Sequence, residues 1–176
     1  MQGVSLLDKV HMKTVFIIIS ILIVAIIVLL LNFKSISKAG EASGLIEKML
    51  SKCPNKPNCV CSEYKDDANH YIDPISIPQN ITFDTFSLLK NVIQDMGGNI
   101  QVESDNYLAA TFTSAIFKFV DDLEIRIDLT QNVIHLRSAS RVGYSDMGVN
   151  KKRAKLLKKL FNNKVSEANK SPQLTS

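Results

Sequence analysis

The segment from Arg137 to Asn150, running into Lys151, Lys152 and Arg153, gathers residue types that could hold an anion. Arg137 and Arg141 bring two-pronged cationic donors, and Ser138, Ser140 and Ser145 bring hydroxyls. Gly143 and Gly148 would let backbone approach a ligand closely. Ser145, Gly148 and the free amides at the start of a following helix point at the same space. A structural reading stands beside this one, because Gly143 and Gly148 would equally serve turns of positive φ, and Ser145 or Asp146 is a natural helix N-cap. Upstream, Asp121-Asp122 ends an apolar run containing Ile116, Phe117, Phe119 and Val120, a placement that solvation alone explains poorly. The candidate ligand-binding set is therefore Asp121, Asp122, Arg137, Ser138, Ser140, Arg141, Gly143, Ser145, Asp146, Gly148, Asn150 and Arg153.

Strands with period-two alternation must position these residues. Ile100-Val102, then Leu108-Ala110-Phe112 after a turn at Asp105-Asn106, then Leu123-Ile125-Ile127-Leu129, then Ile134-Leu136-Ser138 read as four antiparallel strands with one buried face. If Thr130-Gln131 is the hairpin loop, Glu124 lies opposite Arg137, Arg126 opposite His135 and Asp128 opposite Val133, with Asp122 diagonal to Arg137. For Glu124, Arg126 and His135 the expectation is a solvated sheet face with weak surface pairs. For Asp121, Asp122, Arg137 and Arg141 it is an arginine–carboxylate network that organises the loop, with a ligand site built on that network as the second reading.

Two helices flank the strands. Phe83, Phe86, Leu89, Val92, Ile93 and Met96 recur at helical spacing between a cap at Thr82 or Asp84 and the stop at Gly97-Gly98. A last helix from about Asp146 to Asn163 turns Val149, Arg153 or Ala154, Leu157, Leu160 and Phe161 to one side. Leu45, Ile46, Met49 and Leu50 suggest a further turn or two of helix before Pro54, and the proline-punctuated chain from Lys65 to Asn80 reads as a wrapping segment. The fold class expected is α+β: an N-terminal transmembrane helix, then one small domain with an antiparallel meander of about four strands flanked by helices.

The transmembrane expectation rests on Val15 to Leu31, all apolar except Ser20 and extended by Asn32-Phe33 toward the roughly 20 residues that cross a bilayer. Met12-Lys13-Thr14 resembles a short basic region before a signal sequence. Only Ser37-Lys38-Ala39 offers a small-residue cleavage pattern, so an uncleaved single-pass anchor is expected. The organisation is then 1–14 short basic tail, 15–33 span, 34–44 polar linker spacing the domain from lipid, 45–164 domain and 165–176 disordered tail. Lys9 and Lys13 against Lys34, Lys38 and Lys48 slightly favour a cytoplasmic domain by the positive-inside count. Cys53 and Cys59, enclosing Pro54 and Pro57 in a compact turn, pull the other way. A bridge there would persist mainly outside the cytoplasm, and an extracytoplasmic domain is expected.

Cys53-Pro54-Asn55-Lys56-Pro57-Asn58-Cys59-Val60, Asp121-Asp122 and the Arg137–Asn150 segment together resemble the DUF1499 family, from roughly Cys53 to Phe161. The resemblance implies a membrane protein of a bacterial envelope or of an organelle derived from one, and supplies no assigned activity. Family members typically carry serine at the position of Cys61, so catalysis by that thiol would be peculiar to this chain.

A hydrolase using Asp121 or Asp122 as base and Arg137 and Arg141 as oxyanion stabilisers is conceivable, but no nucleophile elbow, phosphate loop or metal triad accompanies them. A metal site at Cys53, Cys59, Cys61 and His70 would have a spacing outside the usual zinc patterns, so a Cys53–Cys59 disulfide is preferred over free thiols and metal. No cofactor and no catalytic residue is assigned. Lys151, Lys152, Arg153, Lys155, Lys158, Lys159 and Lys164 outnumber the chain's formal net charge of +4, so its positive charge is local to the last helix. Without accompanying aromatic base-stacking groups this does not indicate nucleic acid. Anionic lipid headgroups suit it better, and a lysine-rich solvated helix face remains the plain alternative. The expected partners are the bilayer and an anionic ligand or protein segment; the expected role is a non-catalytic, membrane-tethered binding or structural module, with the hydrolase and a lipid-surface module acting through the basic helix as alternatives.

Overall fold

The computed structural model describes residues 6–78 and 84–170. Its first element is α1 (Leu6–Ala39), a helix of 34 residues whose Val10–Ala39 part is long and apolar enough to cross a membrane, its most apolar 18-residue stretch having a mean hydropathy of 3.5. The helix starts inside the expected basic tail and runs well into the expected linker. Residues 34–39 are thus helical and not a spacer, and Ser37 is fully buried against the domain.

Four short strands follow: β1 (Leu45–Ile46), β2 (Met49–Leu50), β3 (Cys59–Cys61) and β4 (Ile75–Ser76). The helical turn expected at 45–50 is instead a hairpin, with Leu45 paired to Leu50 and Ile46 to Met49. Glu47 and Lys48 both take positive φ, 50° and 68°, as a two-residue turn of mirror-image type demands. Apolar pairs flanking two polar residues fit one helical turn and a tight hairpin equally well, and tertiary cover for Leu50, which is fully buried, decides between them.

Helix α2 (Thr85–Asp95) is capped by Asp84, whose carboxylate accepts from the Phe86 amide at 3.0 Å. It ends at Gly97 (φ 85°), with the Gly98 amide returning to the Ile93 carbonyl at 2.9 Å. Thr82 and Phe83, also placed in this helix by spacing, lie outside the described residues. Strands β5 (Asn99–Glu103), β6 (Tyr107–Thr113), β7 (Val120–Asp128) and β8 (Val133–Ser140) form the meander, and α3 (Val149–Lys170) closes the domain. α3 continues past the expected end at Asn163, because Val165 is buried; residues 165–170 are helix, not a disordered tail.

The sheet has six strands, ordered β3-β8-β7-β6-β5, with β4 also pairing β8. All pairings within it are antiparallel, and the β7–β8 register sets Glu124 against Arg137, Arg126 against His135 and Asp128 against Val133, as the alternation implies. Leu123, Ile125, Leu136, Leu89, Ile93, Leu157 and Phe161 fill the core beneath α2 and α3. The opposite face is also covered. Leu50, the Cys53–Cys59 pair, Cys61, Tyr107, Ala109 and Ala139 form a second cluster there, under the chain between α1 and β3. The expectation of one buried face is corrected accordingly: Glu124 is fully buried, and Asp122, His135 and Arg137 nearly so. Leu129, counted with the inward set, is 74% exposed at the hairpin turn.

Candidate functional site

Successive residues of a strand face opposite sides of the sheet, so Asp121 and Asp122 do not form a pair. Each has its own arginine. Asp122 takes Arg141 in a two-pronged contact, Nε to Oδ2 at 2.8 Å and Nη2 to Oδ1 at 2.7 Å. Asp121 accepts from Nη2 of Arg153 at 2.8 Å on the α3 side.

On the Asp122 face, Arg137 donates from Nη1 to Glu124 at 2.6 Å, while its Nε has no hydrogen-bond partner among the described residues. The other Glu124 oxygen accepts from the Tyr107 hydroxyl at 2.9 Å and from the Gly44 amide at 2.8 Å. Burial and the neighbouring Glu124 push the Tyr107 phenol well above its ordinary range. Arg126 binds Glu63 and Asp128, and Glu63 in turn accepts from the Leu50 amide at 2.9 Å. The Thr130 hydroxyl, with the Gln131 amide and Arg126 adding to it, holds the Asp128 carboxyl down at about 2. His135 contacts the Ser62 hydroxyl at 3.2 Å, and burial lowers its pKa from 6.5. The weakly paired, solvated face expected for Glu124, Arg126 and His135 is therefore a largely buried row, with Glu124 and Arg126 in ion pairs and His135 against the Ser62 hydroxyl. Period two assigned these residues to one face correctly but carried no information on what covers it.

The α3 face holds a second network. Ser138 donates to Asn150 Oδ1 at 2.6 Å, and Arg153 Nη1 reaches both Ser138 and Asn150 at 3.1 and 2.5 Å. Asn150 Nδ2 donates to the Asn58 carbonyl and to the Ser140 hydroxyl, each at 3.0 Å. The Arg153 guanidinium stacks 4.5 Å from the Phe112 ring centre. Ser138, Ser140, Asn150 and Arg153 thus tie β8 to α3 and to Asn58 of the cysteine segment.

The turn between these networks uses its own donors. Asp146 accepts from the Gly148 amide at 2.9 Å and from the Asn150 amide at 2.7 Å, and Ser145 accepts from the Met147 amide at 3.3 Å. The amides that an anion would need are engaged by these side chains. Gly143 and Gly148 take φ of 88° and 76°, the turn role that glycine serves without strain. Because Asp121 and Asp122 face opposite sides of the sheet, Asp121, Asp122, Arg137 and Arg141 do not together surround one open space among the described residues; of the four, Asp122 and Arg141 line the cleft beside α1.

Cys53 and Cys59 form a disulfide, leaving Cys61 as a free, buried thiol. Burial raises Cys61 to about 11, which makes it a poor nucleophile. Both ring nitrogens of His70 are engaged, Nδ1 with Asp67 at 2.8 Å and Nε2 with the Lys56 carbonyl at 2.9 Å. On the basic helix, Lys158 donates to the Pro74 carbonyl and Lys164 pairs with Asp95.

Partners that spacing did not reveal come from the segment before β3. The Ser37 hydroxyl accepts from the Val120 amide at 2.7 Å, and the Ser37 carbonyl accepts from Arg141 Nη1 at 3.2 Å. Gly40 lies over the Arg141 stem, where an added Cβ would meet Cδ at 3.1 Å. Serine in a polar stretch after an apolar run gave no signal of such docking. A cleft of about 880 Å³ opens between the end of α1 and the β5–β6 side of the sheet, with Lys34, Lys38, Gly44, Tyr107, Thr113 and Lys118 among its walls. Arg141 and Asp122 also line it.

Fold and site define an α+β domain with a sheet covered on both faces, closed by buried arginine–carboxylate pairs and joined directly to a long apolar helix. The model of the family described as "Protein of unknown function (DUF1499)" matches residues 49–161, and the chain belongs to that family. Comparison with curated proteins and with solved structures returned no match.

Proposed function

We propose that this is a single-pass, membrane-tethered, non-catalytic binding module of a cell envelope, with its domain on the extracytoplasmic side. The signature residues act as a clamp, and the ligand site is the cleft beside α1. The apolar helix supports the tether, and the Cys53–Cys59 bridge supports an oxidising compartment. Internal pairing of Asp121, Asp122, Glu124, Arg137, Arg141 and Arg153 supports a structural role for the loop.

The observation that carries the ligand reading is the cleft's charge. Lys34, Lys38 and Lys118 line it without carboxylate partners among the described residues, Arg141 and Asp122 neutralise one another, and Glu41 is the remaining acid. An anionic ligand or an acidic partner segment suits that lining. The test is a thermal-shift screen on the full-length protein in detergent with inorganic phosphate, phosphorylated metabolites, acidic peptides and anionic lipids. At least one anionic class should raise Tm, and a Lys34→Gln, Lys38→Gln, Lys118→Gln triple variant should lose that rise while its own Tm moves by less than about 2 °C. An unresponsive wild type, or a triple variant that responds equally, would reject the site.

A further inference from the structure

Two loops leave the sheet at the end where α1 docks, and both carry large apolar side chains into solvent. In the β6–β7 turn Ile116 is 83% exposed and Phe117 is half exposed; in the β8–α3 loop Met147 is 91% exposed and Tyr144 largely so. Single exposed apolar residues need no explanation, and Leu129 at the far end of the sheet is one. Four on two adjacent loops at one end of the domain are a different matter.

The chain's own path gives the direction in which they point. Gly44 is bound to Glu124 in the middle of β7, and Ser37 is bound to Val120 at its start, so the segment leading back from Gly44 toward the apolar run descends the sheet toward the β6–β7 turn. Lys34, the residue after Phe33 at the end of that run, lines the same cleft as Thr113 and Lys118, and Lys118 directly follows Phe117. At about 3.3 Å per strand residue the turn's tip lies about 7–10 Å beyond Val120. At about 1.5 Å per helical residue the same descent along α1 reaches roughly Leu30 to Asn32, within the apolar run. The β8–α3 loop emerges beside it, since the Arg141 amide donates to the Val120 carbonyl at 3.3 Å.

We infer that the 114–119 turn and the 141–148 loop form a second contact with the lipid bilayer, seating Ile116, Phe117, Tyr144 and Met147 in the interfacial layer beside α1. The inference rests on α1 being a membrane anchor. A tyrosine and a phenylalanine suit the headgroup boundary, and Lys34, Lys38 and Lys118 sit at the level of anionic headgroups. Met147 takes a φ of 54°, unusual for a residue with a side chain, and the turn that imposes it is held by the Asp146 and Ser145 side chains. The signature loop thus fixes which residue meets the lipid, a role that its internal pairing leaves open.

The chain contains no tryptophan, so one introduced indole reports its surroundings alone. Full-length Ile116→Trp, Met147→Trp, Leu129→Trp and Val24→Trp would each be reconstituted in vesicles of phosphatidylcholine and phosphatidylglycerol, with and without brominated acyl chains. Quenching at positions 116 and 147 at least about threefold greater than at 129 is the result expected. Strong quenching at 24 with none above the 129 level at 116 and 147 overturns the loop contact while leaving the anchor intact. No quenching at 24 removes the anchor and this surface with it. Quenching confined to one loop overturns the two-loop surface. A blue-shifted emission at 116 and 147 that ignores brominated lipid and varies with protein-to-lipid ratio assigns the patch to a second copy and also overturns it.

Discussion

Arg137 and Arg141 sit on the same sheet face but are held differently, and that difference ranks their replacements. Arg141 gives Asp122 both prongs and adds a bond to the Ser37 carbonyl, whereas Arg137 gives Glu124 a single bond. Lysine retains charge but not the planar fork, so Arg141→Lys should destabilise more than Arg137→Lys, by about 2–4 against about 1–3 kcal/mol. Arg137→Ala, which strands a fully buried Glu124 with only a phenol and an amide, should cost about 3–5 kcal/mol. Chemical denaturation of the three variants checks the order; an Arg141→Lys protein as stable as wild type would contradict the clamp. His135 supplies a pH dependence. Burial depresses its folded-state pKa below 6.5, so the unfolded chain takes up the proton first as pH falls. The stability it contributes is full above about pH 6.5 and is lost progressively below that as pH falls toward and through the folded value. Tm should therefore drop between pH 7.5 and 5.5, and the drop should be smaller in His135→Gln. Equal drops in both proteins would assign the effect elsewhere.

Among the elements, the cysteine segment bears most on the second face of the sheet. The Cys53–Cys59 bridge spans a sequence separation of 6, so it restrains the unfolded chain little, and removing it by a double serine substitution should cost on the order of 2 kcal/mol. Non-reducing mass spectrometry should find the native protein with one thiol, that of Cys61, alkylated only after denaturation because it is buried and its pKa stands near 11. Three thiols reacting without denaturation would reject the bridge and, with it, the extracytoplasmic placement. The β1–β2 hairpin shows the other behaviour of this segment. Its apolar spacing fitted a helix, and the pairing was decided by the need to lay Leu50 and the Leu50 amide over Glu63 and the sheet.

For the whole molecule, the junction between α1 and the domain matters most. Ser37 and Gly44 contact β7, and Ser37 and Gly40 contact Arg141 just past the end of β8, so no free linker separates the apolar helix from the sheet. Full-length protein is expected in the membrane fraction and should resist alkaline carbonate extraction; recovery as a soluble protein of unprocessed mass would remove the anchor. Removing residues before Leu45 should also lower domain stability, since it deletes the partner of the Val120 amide, an acceptor for Arg141 and the Gly44 donor to Glu124.

The sequence by itself determined the apolar helix, the meander, the β7–β8 register and the inward stripes of α2 and α3, because hydrophobic periodicity reports on local geometry and on which residues share a face. It also marked the arginines and aspartates of the signature segment as belonging to a network. Only the tertiary structure decided that Asp121 and Asp122 serve opposite faces with different arginines, that the charged face is buried, and that Glu63, Tyr107, Gly44 and Ser37 complete it. Those partners lie 17 to 104 positions from the residues they satisfy, counting from Tyr107 to Glu124 and from Ser37 to Arg141. Alternation along a strand is indifferent to whether water or a distant segment covers a face. The desolvation of a buried carboxylate, which makes its arginine indispensable, arises only once that segment is in place.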